Sequence, residues 1–508
     1  MGTVLISNSS LSWTDLSCLL ESSAHFRMSR DRRSAIQNSY KILKNILINE
    51  EQVYGVNTGF GKLSNVSIQP KDLNILQLNL VRSHASGVGK PLDFGVVRII
   101  MVLKLITWAK GFSGIRPELS QLLLDMLNKD ILPVIPSKGS VGASGDLAPL
   151  AHMACAMIGE SDVNYKGKII SSKLALRKNS LKPIKLGAKE GLSLINGTQV
   201  STALAIQALY ESRNLLSLGD ISGAFSIEAS LSSVSVFNPK IHRLKKHKGQ
   251  LESATNVFNL LKSSEIVKSH ENCDRIQDPY SIRCLPHVHG SSREIFKNAE
   301  RIINNEINSV SDNPLIFPNG KVMNSGHFHA EPIAQAIDTL SIAICEIGGI
   351  SERRIHLLMK GVDDKVPLFG AMDPGLESGF MLAQVTAASL ASENKTLAHP
   401  ASIDSLSTSA GQEDFVSMAP WSARSCLKII KNVQTIIAIE ILVASNINHR
   451  FHKKLSSGNG LKPIIALLKR EKLLSTNDHI LTPDILSLNK LIISGKIIQK
   501  AKQAINLV

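Results

Sequence analysis

Two stretches in the second half of the chain limit its architecture more than any other feature. After Ser291 and Glu294, spaced as a helix-capping pair, Ile295, Ala299, Ile302, Ile303, Ile307 and Val310 follow at helical spacing until Asn313 and Pro314 break the pattern. A second run opens at Pro332 and carries Ile333, Ile337, Leu340, Ile344 and Ile347 toward Met359. Its apolar residues occupy more than one face, as in a helix surrounded by others in a bundle or an oligomer core. Composition agrees, because only 4% of the chain is aromatic while 43% is hydrophobic, mostly Leu, Ile, Ala and Val, which suit helices packed along their length. The expected fold is mainly α, a long-helix bundle.

The chain's 508 residues allow two or three domains. Up to about residue 196, Gly-rich stretches (GVNTGFGK, HASGVGK, KGSVGASGD) alternate with short amphipathic helices such as residues 97–108; longer helices follow. The expected division is a loop-rich helical N-terminal domain, 1–196, and a bundle with a C-terminal helical region, 197–508. The net charge of +15 is scattered. Its densest run, RLKKHK at 243–248, has no interleaved aromatics for base stacking and reads as a solvated loop, so nucleic acid is not an expected partner. Cysteines 18, 155, 273, 284, 345 and 426 form no C-x-x-C pair and fit free thiols in a reducing compartment. The start MGTVLISNSSLSW lacks a secretory pattern, and Ile6 stands where a myristoylation signal needs Ser or Thr. The apolar run at 435–445 is too short to span a bilayer and contains Glu440. No membrane association is expected, and the expected location is the cytoplasm.

Several familiar site patterns fail. Gly89-Lys90 lacks the remaining P-loop residues, and no serine sits in G-x-S-x-G. The pairs His287/His289 and His327/His329 lack further ligands at regular spacing, so no metal is expected. The informative segment is Gly139-Ser-Val-Gly-Ala-Ser-Gly-Asp-Leu-Ala-Pro-Leu150, where small residues give way to helix-compatible sequence through Ile158. Taken alone, Ser144 or Asp146 fits a helix cap. A second reading is chemical: Gly145, without a side chain, lets its nitrogen approach the carbonyl of residue 143, and Ser144 can lose its hydroxyl as water. The product is an electrophilic ring bearing a methylidene, beside a helix N-terminus that draws electron density toward it.

This segment resembles the signature of the aromatic amino acid ammonia-lyases, in which Ala-Ser-Gly becomes 4-methylidene-imidazol-5-one. Further stretches similar to the members that act on histidine cover nearly the whole chain: YGVNTGFGKL from Tyr54, SHASGVG from Ser83, EGLSLINGTQ from Glu190, QDPYSIRC from Gln277, FHAEP from Phe328, SERRI from Ser351, ENKTLAHPASIDS from Glu393 and QEDFVSMAP from Gln412. The resemblance implies a fold similar to the fumarase/aspartase-like superfamily, and an electrophile formed from Ala143, Ser144 and Gly145 with no metal or nucleotide. It implies Tyr54 as the base on a lid loop, and Tyr280 as a second site tyrosine that assists or orients the electrophile. It also implies Asn196 on the ring oxygen, Arg283 on the substrate carboxylate, and Gln277 and Phe328 in the pocket. His84 and Glu413 stand where phenylalanine-specific members carry an apolar residue and Gln, and both can bond an imidazole. The implied reaction is elimination of ammonia from L-histidine to trans-urocanate, by addition of either the substrate amine or its ring to the methylidene. Tyrosine elimination, an aminomutase and a non-catalytic binding protein are the alternatives; tyrosine-specific members share the His at position 84, so Glu413 weighs more. The chain departs from the family at His287, His327, Gly411 and Phe415, which flank substrate-binding stretches. A homotetramer with sites built from several chains is also implied.

Overall fold

The computed structural model describes residues 3–49, 52–271 and 275–508; Cys273 and the first two residues lie outside them. Helices dominate, and the short strands pair in twos and threes. Three helices are long: Leu285–Ile307, Glu331–Met359 and Ala419–Phe451. The bundle expectation therefore holds, and the run opening near Pro332 ends at Met359 as its pattern indicates. The other run differs. Its helix starts at Leu285, with Pro286 in a first turn that needs no amide donor, so Ser291 lies inside the helix and caps nothing. Apolar residues 435–445 form the middle of the longest helix. Glu331–Met359 is itself long and apolar enough to cross a membrane by length and composition, which the reading of 435–445 overlooked; 61% of its most apolar window is buried inside the structure.

Contacts gather the chain into two compact units, Met1–Tyr210 with Glu300–Asp338 and Pro400–Arg424, and Glu211–Ala299 with Thr339–His399 and Ser425–Val508. The first unit takes in two stretches from the second half of the sequence, so these units do not follow a single cut at residue 196. Within it, Phe94–Ala109 is buried at every position but Phe94 and Arg98. The expected amphipathic helix is a core helix, and it carries Lys104 into the interior with no exposed surface. Leu147–Ile158 packs against Leu73–His84 and Glu190–Ile195 and ends at Gly159, whose φ of 86° is the left-handed stop that glycine supplies without strain.

In the second unit, Leu215–Ala229 is almost wholly buried and packs against Lys248–Leu260. Burial brings charges with it. Glu440 takes two hydrogen bonds from Arg354, at 2.5 and 2.9 Å, and others from Ser226 and Ser351. Asp220 accepts from Arg293 at 2.7 Å, His289 Nδ1 at 2.8 Å and Ser253 at 2.5 Å. Burial alone raises the Asp220 pKa, but the Arg293 guanidinium and the His289 bond outweigh it and bring the carboxyl down to about 2. His289 is thus a buried core histidine held through Nδ1 by Asp220. The RLKKHK run is exposed between Pro239–Arg243 and Lys248–Leu260, as a solvated loop should be.

Candidate active site

The segment that carries the candidate electrophile is held as a turn from both sides. Gly145 has φ +77°, and a Cβ there would stand 2.3 Å from the Gly197 nitrogen, so neither the backbone conformation nor the space admits another residue. Gly145 bridges Gly197, and the Asp146 amide donates to the Gly197 carbonyl at 2.8 Å. Asn196 Nδ2 donates to the Ser144 carbonyl oxygen at 3.0 Å. The Ser144 hydroxyl donates to Glu413 Oε1, whose other oxygen accepts from Thr408 Oγ1 at 2.6 Å.

The cap reading of this turn fails on detail. Asp146 occupies the position before Leu147–Ile158 but makes no side-chain cap bond. Its carboxylate accepts instead from the Ser201 amide and hydroxyl, both at 2.8 Å, and from the Ser140 hydroxyl at 2.9 Å. Burial pushes its pKa up, and these donors pull it back. The residue ties the start of this helix to the start of another, Gln199–Ser212.

Around the turn lies a cavity of about 1100 Å³. Tyr54, His84, Ala143, Ser144, Asn196, Phe328 and Glu413 line it, seven of the residues singled out in the sequence. Tyr54 comes from the Gly-rich loop, and its hydroxyl accepts from the Gly61 amide at 3.1 Å. That loop is pinned by buried Gln77, which donates to the Gly55 carbonyl at 3.2 Å and accepts from the Leu192 amide at 3.0 Å. His84 closes Leu73–His84, with Nδ1 at 2.8 Å from the Leu80 carbonyl. A carbonyl only accepts, so Nδ1 carries the proton and Nε2 is left as an acceptor. Burial lowers the His84 pKa, with the Leu80 bond and Glu413 opposing it.

Four nominated residues are not among those lining the cavity; one is Gly145, inside the turn itself, and the other three come from elsewhere in the chain. Gln277, Tyr280 and Arg283 belong to the second unit, at the single turn Tyr280–Arg283 and just before it. Tyr280 is 74% exposed, Arg283 donates to Gln277, and the guanidinium lies 5.8 Å from the Tyr280 ring centroid. Sequence reading also missed lining residues. His329 stacks on Phe415 with ring centroids 6.4 Å apart, and both face the cavity. FHAEP and QEDFVSMAP contain them, but His329 had been weighed only as a metal ligand. Of the departures from the family pattern, only Phe415 lines the cavity.

The electrophile can be tested against these surroundings. Ring closure joins Gly145 to Ala143 and makes the Ser144 carbonyl the ring oxygen. The bare Gly145, the left-handed φ, the buried Ala143 and the Asn196 bond to that oxygen all suit such a ring. The residues present fit.

The chain belongs to the aromatic amino acid lyase family, whose model matches residues 11–470. Members that resemble it include a histidine ammonia-lyase from Vibrio cholerae, 46% identical over 460 residues and covered over 90% of both chains. The structure of a histidine ammonia-lyase from Trypanosoma cruzi superposes with a TM-score of 0.89 at 39% identity, over 99% of this chain and 96% of that one. A tyrosine aminomutase from Streptomyces globisporus gives a TM-score of 0.90 at 30% identity over the whole of both chains.

Proposed function

We propose that the chain eliminates ammonia from L-histidine to give trans-urocanate, using an electrophile that it forms from Ala143, Ser144 and Gly145. The observation that carries this reading is the hydrogen bond between Ser144 and Glu413. It puts the carboxylate that suits an imidazole beside the residue that supplies the reactive carbon, across 269 positions of sequence.

The reaction has two difficulties, a poor leaving group at the α-carbon and a weakly acidic proton at the β-carbon. The methylidene-imidazolone, once formed, supplies electrophilic activation of the substrate. Asn196 holds the oxygen on which electron density collects, and Tyr54 takes the β-proton from a loop fixed by Gln77. His84 and Glu413 receive the substrate imidazole, Phe328 packs beside its ring, and Arg283 with Gln277 grips the carboxylate. Tyr280 helps to form or orient the electrophile.

Gln277, Tyr280 and Arg283 form an exposed cluster with Ile276, which is 96% exposed, and a neighbouring chain would cover such a surface. This supports a homotetramer in which one chain completes another's site. The cysteines described are free thiols, which suits work in the cytoplasm. Tyrosine is the competing substrate, since tyrosine-specific members share the His at 84 and a tyrosine aminomutase has this fold. Purified protein given L-histidine is expected to show the rising near-UV absorbance of urocanate, and Ser144→Ala is expected to abolish it. Undiminished activity in that variant overturns the electrophile, and a tyrosine-derived product overturns the substrate.

A further inference from the structure

The turn at Ala143, Ser144 and Gly145 is gripped by Asn196 and Gly197, and something must in turn hold those two residues. Asn196 follows the short helix Glu190–Ile195 and is extended, with φ −84° and ψ 138°. Its backbone carbonyl accepts a 2.6 Å hydrogen bond from Lys104 Nζ, which also donates to the Ser193 carbonyl at 3.1 Å. Both are carbonyls at the helix C-terminus, where a cation is favoured. Lys104 has no exposed surface. A buried ammonium is costly to desolvate, and packing alone is served better by an apolar side chain.

The neighbouring turn of the same helix completes the grip. Thr107 and Trp108 lie three and four residues beyond Lys104, on the same helix face. Trp108 Nε1 donates to Ser193 Oγ at 2.9 Å, and Thr107 Oγ1 accepts from Gln199 Nε2 at 3.2 Å. Ser193 Oγ donates to Asp312 at 2.8 Å, and Asp312 pairs with Lys189 at 2.9 Å. One face of Phe94–Ala109 thus receives residues 193–199 and orients the Asn196 side chain toward Ser144.

We propose that Lys104 is a positioning residue for making the electrophile: it fixes the Asn196 carbonyl so that Asn196 and Gly197 hold the Ala143-Ser144-Gly145 turn ready to cyclise. The proposal rests on the reading that this segment cyclises. In that step the Gly145 nitrogen bonds to the Ala143 carbonyl carbon. The Ala143 oxygen leaves as water with the amide hydrogens of Gly145 and Ser144. Ser144 loses its hydroxyl together with its Cα hydrogen as a second water. Closure needs the turn held compact and the Ser144 carbonyl polarised, and Asn196 contributes to both. Burial brings the Lys104 pKa down to about 7, against the opposing pull of Asp312 and Asp146 and with help from Lys189. Its charge is therefore lightly held, whereas an arginine there stays charged.

The test is intact mass of the purified full-length chain, in which cyclisation removes two waters, read beside circular dichroism and melting temperature. Wild type is expected to be cyclised; a wild-type chain of full mass overturns the reading of the segment, and this proposal with it. Against a cyclised wild type, Lys104→Met is expected to fold yet mature roughly ten-fold more slowly or worse, the scale of one charge-assisted hydrogen bond, while Lys104→Arg recovers most of the maturation. Equal maturation of the Met variant overturns this proposal alone. If the Met variant does not fold, Lys104→Gln carries the test, and Gln maturing as fast as Arg overturns it. Trp108→Phe loses a bond in the same network but leaves both Lys104 bonds, so it is expected to melt lower and still cyclise. A loss of cyclisation there equal to that of the Lys104 variants makes the network merely structural and also overturns the proposal.

Discussion

Glu413 shows how one side chain binds two parts of the candidate site. Thr408 takes one of its oxygens and the Ser144 hydroxyl the other; once Ser144 gives up that hydroxyl in the proposed ring, the Thr408 bond still orients the carboxylate. Replacing it by Gln keeps the shape but removes the charge and turns one acceptor into a donor. Glu413→Gln is expected to lower kcat/KM for histidine by roughly 10- to 100-fold, the scale of a hydrogen bond to a charged group, with the fold intact by circular dichroism. An unchanged kcat/KM removes Glu413 from substrate recognition. Its identity was legible because QEDFVSMAP resembles a family stretch, although Phe415 within it departs from the pattern. Its partner Thr408 was not, since nothing local marks a threonine five residues upstream as the one that orients it. His329 was misjudged for a similar reason: a histidine pair in sequence suggests ligands, whereas this ring stacks on Phe415.

At the scale of elements, packing overrode local signals in both directions. The capping pair Ser291 and Glu294 lies inside a helix because the chain could start that helix earlier, at Leu285, and Ser292 instead bonds the Val288 and Ala343 carbonyls. Phe94–Ala109 was expected to show one wet face, yet Lys104 goes inward because carbonyls receive it. Buried charges join elements in the second unit as well, and Asp220 makes this measurable. Its pKa is brought down to about 2, so its ionised form is the one that folding favours. The stability it contributes is complete above the ordinary Asp value near ~4 and is lost as pH falls through 2. The gap in melting temperature between wild type and Asp220→Asn is therefore expected to be wide at about pH 6 and to narrow steadily below about pH 4. A gap that does not vary with pH means that charge pairing with Arg293 is not what holds this cluster together.

For the whole molecule, the question is how Gln277, Tyr280 and Arg283 meet the substrate. They cluster on the second unit with Tyr280 largely exposed, and the cavity that holds Ser144 is lined without them. If a neighbouring chain supplies them, two different inactive chains can repair one another. Ser144→Ala and Arg283→Ala, each inactive alone, are expected to regain a measurable fraction of activity when co-expressed, because some mixed sites pair an intact Ser144 with an intact Arg283. Co-purified mixed oligomers without activity count against shared sites.

The sequence by itself determined the helical architecture, through apolar periodicity, and it marked Ala143, Ser144 and Gly145 as the candidate electrophile, through small residues that permit a backbone ring and through the family resemblance. It also carried the family, because eight stretches resemble it in one order. Only the tertiary structure decided which residues hold these in place. Lys104 bonds Asn196, 92 positions away, Gln77 bonds Leu192, 115 away, and Asp146 bonds Ser201, 55 away, while Thr408, which bonds Glu413, itself lies in no motif. Such bonds have no sequence pattern, because a buried donor needs only an acceptor nearby in space. Periodicity records which side of a helix is dry. It does not record what a charged side chain finds there.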